Sequence, residues 1–576
     1  MDTLPQELVD RISGCLDLND LKSTLFISRS FQVAAEECSG AFRKFELTPD
    51  PHSSDRLLRI YSGRRSRYLE KIKFRTSFPA LKWDDDTMDI DEDSPPCRPN
   101  TEEILGSDQY FTAQITFMFS TIKALQDRLE EEGVKMRKLK LTVFSPTQYV
   151  DQSWFCFHQT YSSWRVHLLS PDSLPSLLVI HSLKIKNGAN LEPYDGHSQF
   201  PAVRKIDWRI ILDLAAKMPH LNKLKCKIGG DEWASNLACN IGRHHAHDYE
   251  GPRRDSRRDF GEANVILPSL RYLDLDFLSP LEPSQMLDHR KRVPDLVAPY
   301  RYDHFSTSLR MRSYQLRRMN LRGVFDSTLF WPNENTSPLP PRTWPCLESL
   351  SVMFHVSSPS GTWYFNGLRN ELAAMEGAME GFEVTNAHYP PLTTTSEDEE
   401  MDSNMDYIKW DFNVRATCRV VPNDDTLVPF LSGFAKATGS CMPSLKEAIL
   451  YAPLTISADD ISPFYENYRG EGLVESPTEV LYNLAWGLFY SAPGEKSFRS
   501  DPPIGDVVDR RLSWKVGKWR PSPDLHHLFQ HIGQKQYGDN LVEHWHDREY
   551  GRGLVNRKIF ERIEARMSDH RGIGWR

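Results

Sequence analysis

One phrase, L-x-x-L-x-L with aliphatic, aromatic or other small apolar swaps, recurs eight times along this chain and restricts its fold more than any other feature. The copies are Leu69/Ile72/Phe74, Met136/Leu139/Leu141, Ile180/Leu183/Ile185, Leu221/Leu224/Cys226, Leu270/Leu273/Leu275, Leu316/Met319/Leu321, Leu347/Leu350/Val352 and Leu445/Ala448/Leu450. The last two apolar positions alternate with other residues, which is the period of a short strand with one buried face. The first enters from a turn. In four copies a proline stands two residues earlier, at Pro219, Pro268, Pro345 and Pro443. A proline there ends a preceding helix and holds the chain extended. Helical stretches are predicted ahead of several strands, among them Trp208–Met218 and Phe111–Glu132. The expected body is therefore an α/β array whose strands share one sheet, with Leu224, Leu273 and Leu350 all in it.

Strand, turn and helix in this order resemble a leucine-rich repeat. The repeat is irregular. Its proline-bearing copies lie 49, 77 and 98 residues apart, against roughly 20–29 residues in a regular array. The asparagine that normally follows the strand is absent, so long insertions are expected between the turns.

The first forty residues read differently. Thr3 and Gln6 have the spacing of a capping box, and Pro5 suits a first helical turn. Leu4, Leu8, Ile12 and Leu16 recur every fourth residue, with Val9 beside them, forming one apolar stripe. Gly14 weakens the helix near its end. Asn19 is placed to cap a second short helix carrying Leu21 and Leu25. Ser28 is placed to cap a third, with Phe31, Ala34 and Ala35 inward and Arg29, Gln32, Glu36 and Glu37 outward. Three short helices cannot cover such a stripe alone, so the module packs on a neighbour or buries the stripe in a partner.

Leu4-Pro5-x-Glu7-Leu8-x-x-x-Ile12-x-x-x-Leu16, then Asp20-Leu21, then Ile27-Ser28-Arg29-x-Phe31, resembles the F-box. The match spans about 35 residues and starts at once, with no leader. Together with the irregular phrases it resembles the fungal F-box proteins that carry a degenerate leucine-rich-repeat-like body. The fold this implies is α/β: a three-helix F-box over residues 1–47, then an irregular leucine-rich-repeat-like solenoid with long insertions over 48–490 as substrate receptor, then a capping region over 491–576.

The function it implies is that of a substrate-recognition adaptor of an SCF-type cullin–RING ubiquitin ligase. Leu4, Pro5, Glu7, Leu8, Ile12, Leu16 and Leu21 would bind the ligase adaptor subunit, which joins the chain to the cullin scaffold. The body would hold a protein substrate that the resemblance does not identify. Ubiquitin transfer would occur on other subunits, so the chain itself is expected to be no enzyme and to need no cofactor. The alternative is a non-ligase protein-interaction scaffold that uses the same module.

Composition supports a globular protein in the cytoplasm or nucleus. The net charge of −9 argues against a dedicated nucleic-acid binder. Nine cysteines, scattered and without a C-x-x-C pair, suit reduced thiols. No secretory signal, membrane span or lipidation signal is expected. Two acidic stretches, within 84–98 and 393–406, lack core-forming residues and should be dispensable insertions. Deleting 84–93 and 396–404 should therefore shift the melting temperature by only about 1–2 °C in a thermal melt; a large loss would show that they pack on the body. A basic stretch, 242–260, reads as a solvated insertion. The aromatic C-terminal region reads as a terminal cap, which repeat arrays need.

No phosphate-binding loop, nucleophile elbow or zinc helix is present. Cys239 with His244, His245 and His247 lacks the paired spacing of a structural zinc site. His527 and His531 share a helix face, with Glu543, His544 and His546 downstream, but exposed polar residues are the plainer reading.

Overall fold

In a computed structural model the described residues are 4–79, 98–134, 137–149, 164–188, 201–228, 249–278, 281, 289, 291–332, 342–367, 380–396, 419–456, 481–495, 509–545 and 555–569. The chain is mixed α/β, built on a 14-stranded, mostly parallel sheet. Among the described residues, no helix is long and apolar enough to cross a membrane.

All eight phrases feed successive parallel strands of this one sheet, and they are in register. Ile72 lies opposite Leu141, Leu141 opposite Leu183, and Leu183 opposite Leu224. The line continues through Leu273, Met319 and Leu350 to Ala448. Leu224, Leu273 and Leu350 thus share the sheet as expected. Each phrase's opening residue is buried wherever it is described (Met136 is outside the described residues). A fully buried leucine contributes about 1.5–3 kcal/mol, so a line of buried apolar residues across eight strands fixes which face turns inward. A one-residue slip would turn every such side chain outward.

Helices cover the apolar face. The longest, Thr101–Glu131, begins ten residues before the expected Phe111. Asn100 and Glu103 cap it reciprocally, a capping box that its apolar spacing alone did not reveal. Arg209–Ala216 falls within the predicted Trp208–Met218 and stops before Pro219.

Two expectations need correction. The strand Lys44–Leu47 pairs in parallel with Lys71–Ser77, so the sheet begins inside the 1–47 segment and the helical module ends near Gly40. Residues 250–262 of the basic stretch are a helix, Glu250–Glu262, rather than a solvated loop. Arg253 and Arg257 are fully buried there because Phe260 and the guanidinium groups face the core, and charge alone does not show direction. Residues 242–248 lie outside the described residues, as do Cys239, His546 and nearly all of both acidic stretches.

The direction of the sheet changes after Glu447–Ile456. Leu481–Ser491 runs antiparallel to it, Arg510–Lys515 reverses again, and Leu541–Trp545 follows in parallel. Trp514 stacks on Trp545 at 4.6 Å and meets Phe529 edge-on at 5.0 Å. The last helix, Lys558–Asp569, lies across the sheet face opposite the core helices. Its Glu564 pairs with Arg322 and accepts from the Ser351 hydroxyl at 2.8 Å, while Phe560 stacks on Tyr451.

Between the helices Glu250–Glu262 and His304–Ser313 sits a buried polar cluster. Arg257 Nε and Nη2 donate to the two carboxylate oxygens of Asp303 at 2.9 and 2.5 Å. Asp326 accepts from the Asp303 and Thr328 amides. Burial, with the Asp303 carboxylate beside it, pushes the Asp326 carboxyl up to about 6. A folded-state value above the unfolded one means that the fold prefers the protonated acid. That contribution is full below the unfolded value of about 3.9 and is lost as pH rises through about 6. Asp326→Asn should therefore be more stable than wild type at pH 7.5 and should flatten the stability slope between pH 4 and 6. Melting temperatures of both proteins across that range check this; parallel curves would contradict it.

Candidate partner-docking surface

The N-terminal module comprises the helices Gln6–Gly14, Leu18–Thr24 and Arg29–Cys38. Pro5 holds the N-cap position of the first without a side-chain cap, and Thr3 of the expected capping box lies outside the described residues. The second helix is capped by Asp17, two residues before the expected Asn19; its carboxylate accepts from the Asn19 and Asp20 amides at 2.8 and 2.9 Å. Ser28 caps the third as expected, accepting from the Phe31 amide.

Val9, Phe31 and Ala34 form a small core of their own, apart from the main one. The expected stripe is not part of it. Leu4, Leu8 and Ile12 are 39%, 45% and 43% exposed. Pro5 and Glu7 are exposed beside them, Leu16 is half-buried, and Leu21 is buried inside the module, so it is not available to a partner as expected. The structure adds two exposed apolar residues outside the motif, Leu18 and Phe26, the last 92% exposed, and leaves Ile27 of the motif exposed beside them. The run Leu25-Phe26-Ile27 between two helices was the available signal. Exposed aliphatic and aromatic residues concentrated on so small a module mark an interaction surface.

The module is tied to the body through Glu36, expected to face outward on the third helix. It is buried, with Arg64 at 3.0 Å and Arg65 at 2.6 Å. These two cations come from the turn just before the strand Lys71–Ser77.

Other polar groupings are engaged in holding the fold. His167, Asp207 and Asp259 come close enough to share an ion, but Asp207 accepts from the Arg209 amide at the start of its helix, and Asp108 accepts from the His167 amide. The Asp108 carboxylate beside the imidazole raises the His167 pKa, with burial opposing. A cavity of about 330 Å³ nearby is lined in part by Asp108, Tyr110, Gln148 and Arg204. Arg204 donates to Gln148 at 2.7 Å there, and burial lowers its pKa to about 10. Glu543 does not meet His531; it accepts from His526, Gln530 and the Trp514 indole. His531 instead contacts its own helix through the His527 carbonyl. The described cysteines, Cys15, Cys38, Cys226, Cys346 and Cys441, are free thiols.

No protein-family model matches the chain, and no curated protein matches it either.

Proposed function

We propose that this chain is a substrate-recognition adaptor of an SCF-type cullin–RING ubiquitin ligase. Its first three helices act as an F-box that binds the ligase adaptor subunit. The in-register strands and their helices act as an irregular leucine-rich-repeat-like solenoid that holds a protein substrate. The observation that carries this reading is the exposed row Leu4, Leu8 and Ile12 along the first helix and the turn that enters it, whose inward contacts are made by Val9. An aliphatic row left in water on a motif of this spacing gains stability only when a partner covers it. Docking would leave the body free, since Glu36 fixes the module at the edge of the sheet. On this reading the chain performs no catalysis and works in the cytoplasm or nucleus, where the ligase operates.

Affinity purification from cells treated with a proteasome inhibitor tests it. The adaptor subunit and the cullin should both co-purify. Recovery of the adaptor subunit without the cullin would favour a non-ligase scaffold, and recovery of neither would reject the assignment.

A further inference from the structure

The phrases bury one side of the sheet, so the residues between their apolar positions face the other side. On the first five parallel strands those residues are mostly lysine. Lys44 lies opposite Lys71, and Lys71 opposite Lys140. Further along, Lys184 lies opposite Lys225 and Lys186 opposite Lys227. Adjacent strands are about 4.8 Å apart, and like charges directly opposite destabilise a strand pair. Lysine is also a poor strand former. A sheet selected for stability alone would not carry these rows, and such a local conflict is expected where a surface serves function.

Among the described residues, few acidic partners meet the charge on this part of the face. Glu46 pairs with Arg75 at 2.8 Å, and Lys225 pairs with Asp274 on the sixth strand. Lys184 is pushed down to about 8 by burial and then by Lys186, Lys225 and Lys71. Burial, followed by Lys73, Lys186, Lys44 and Lys140, lowers Lys71. The whole chain carries −9, so these rows run against the overall balance. The far half of the same face is covered by the helix Lys558–Asp569.

The chemistry favours carboxylates over nucleic acid. Single-stranded nucleic acid is held on aromatic platforms, and among the described residues Phe144 and Tyr272 beside these rows already carry cations, Arg75 at 4.1 Å and Lys223 at 5.3 Å. Lysine presents a compact point charge without the planar fork of arginine that suits phosphate. We propose that the lysine-covered rows of the sheet hold an extended acidic polypeptide segment, a run of aspartate and glutamate side chains laid across the five strands. This rests on the substrate-receptor reading of the body.

The test uses the full-length chain and a fluorescent peptide of twelve alternating aspartates and glutamates. Controls are the asparagine–glutamine counterpart and a single-stranded oligonucleotide of equal charge. The acidic peptide should bind, its affinity should fall steeply as salt rises from about 0.05 to 0.5 M, and the neutral peptide should not bind. Lys71→Gln/Lys184→Gln should weaken binding by about tenfold or more. The same substitutions remove like-charge repulsion, so the melting temperature should stay level or rise, which separates lost binding from lost folding. The proposal is overturned if the acidic peptide binds no better than its neutral counterpart. It is equally overturned if the oligonucleotide binds about tenfold tighter than the peptide, since the face would then be a nucleic-acid surface. A parallel pull-down of the adaptor subunit keeps the two readings apart: peptide binding without adaptor capture rejects the ligase reading alone, and adaptor capture without peptide binding rejects this one.

Discussion

Leu8→Asp should abolish capture of the ligase adaptor subunit while leaving the chain folded. Leu8 is 45% exposed, so the substitution places a carboxylate in water in the free protein and costs the fold little. In the complex the same carboxylate would be buried without a partner. Desolvating it should cost binding about 2–5 kcal/mol, roughly thirty- to several-thousand-fold in Kd. Phe26→Ser, at a side chain 92% exposed, should weaken capture as well if the docking surface extends beyond the first helix. Removing residues 1–40 should eliminate capture and leave the body folded. Removing 1–47 should not, because Phe45 and Leu47 are buried in the first strand of the sheet. Pull-downs with these variants, each checked by circular dichroism, decide the matter. A folded Leu8→Asp protein that still captures the adaptor subunit would leave the F-box reading without a mechanism.

The largest loss of stability should come from Arg257→Leu. Both partners of the Arg257–Asp303 pair are buried, and the guanidinium also donates to the Val324 carbonyl at 2.6 Å. It lies over the Phe305 ring at 4.5 Å. Asp303 caps the helix His304–Ser313 by accepting from the Phe305 and Ser306 amides. Leucine would leave that carboxylate buried beside Asp326 with no cation. Breaking a buried pair from one side costs about 3–5 kcal/mol, a large fraction of the stability of an ordinary domain. Denaturant unfolding of the variant measures it, and a loss below about 1 kcal/mol would mean that the pair contributes no more than a surface bridge.

The sheet was legible in the sequence because its signal is local. Alternation over three or four residues specifies a strand and its buried face, and Leu183, Leu224 and Leu273 fell into register without long-range information. The reversing strands Leu481–Ser491 and Arg510–Lys515 carry no such phrase, since both of their faces are covered and period-2 contrast disappears. The docking row was legible through residue spacing, but which members stay exposed was not. Leu21 turns inward and Phe26 outward because of how three helices close on Phe31, a tertiary matter. Arg253 and Arg257 were misread because a basic run looks the same whether its guanidinium groups meet water or a carboxylate. The lysine rows were written plainly as Lys71-Ile72-Lys73 and Lys223-Leu224-Lys225-Cys226-Lys227, yet the net charge averages them away.

The order of the parallel strands also sets a schedule for synthesis. From Lys44–Leu47 to Glu447–Ile456 each parallel strand of the large sheet joins the parallel strand made before it, in chain order. A chain leaving the ribosome can therefore extend its sheet one strand at a time, and at every moment the newest strand is an open edge. The longest wait follows Ser349–Phe354, whose partner begins only at Glu447. At about 5–20 residues per second, that edge stays unpaired for roughly 5–20 seconds on each ribosome. Its sequence, Ser-Leu-Ser-Val-Met-Phe, is uncharged and apolar in alternation, the kind of segment that pairs readily with a neighbouring chain. Translation that stalls or stops in this interval releases a protein with a sticky border, and chaperone demand should peak there.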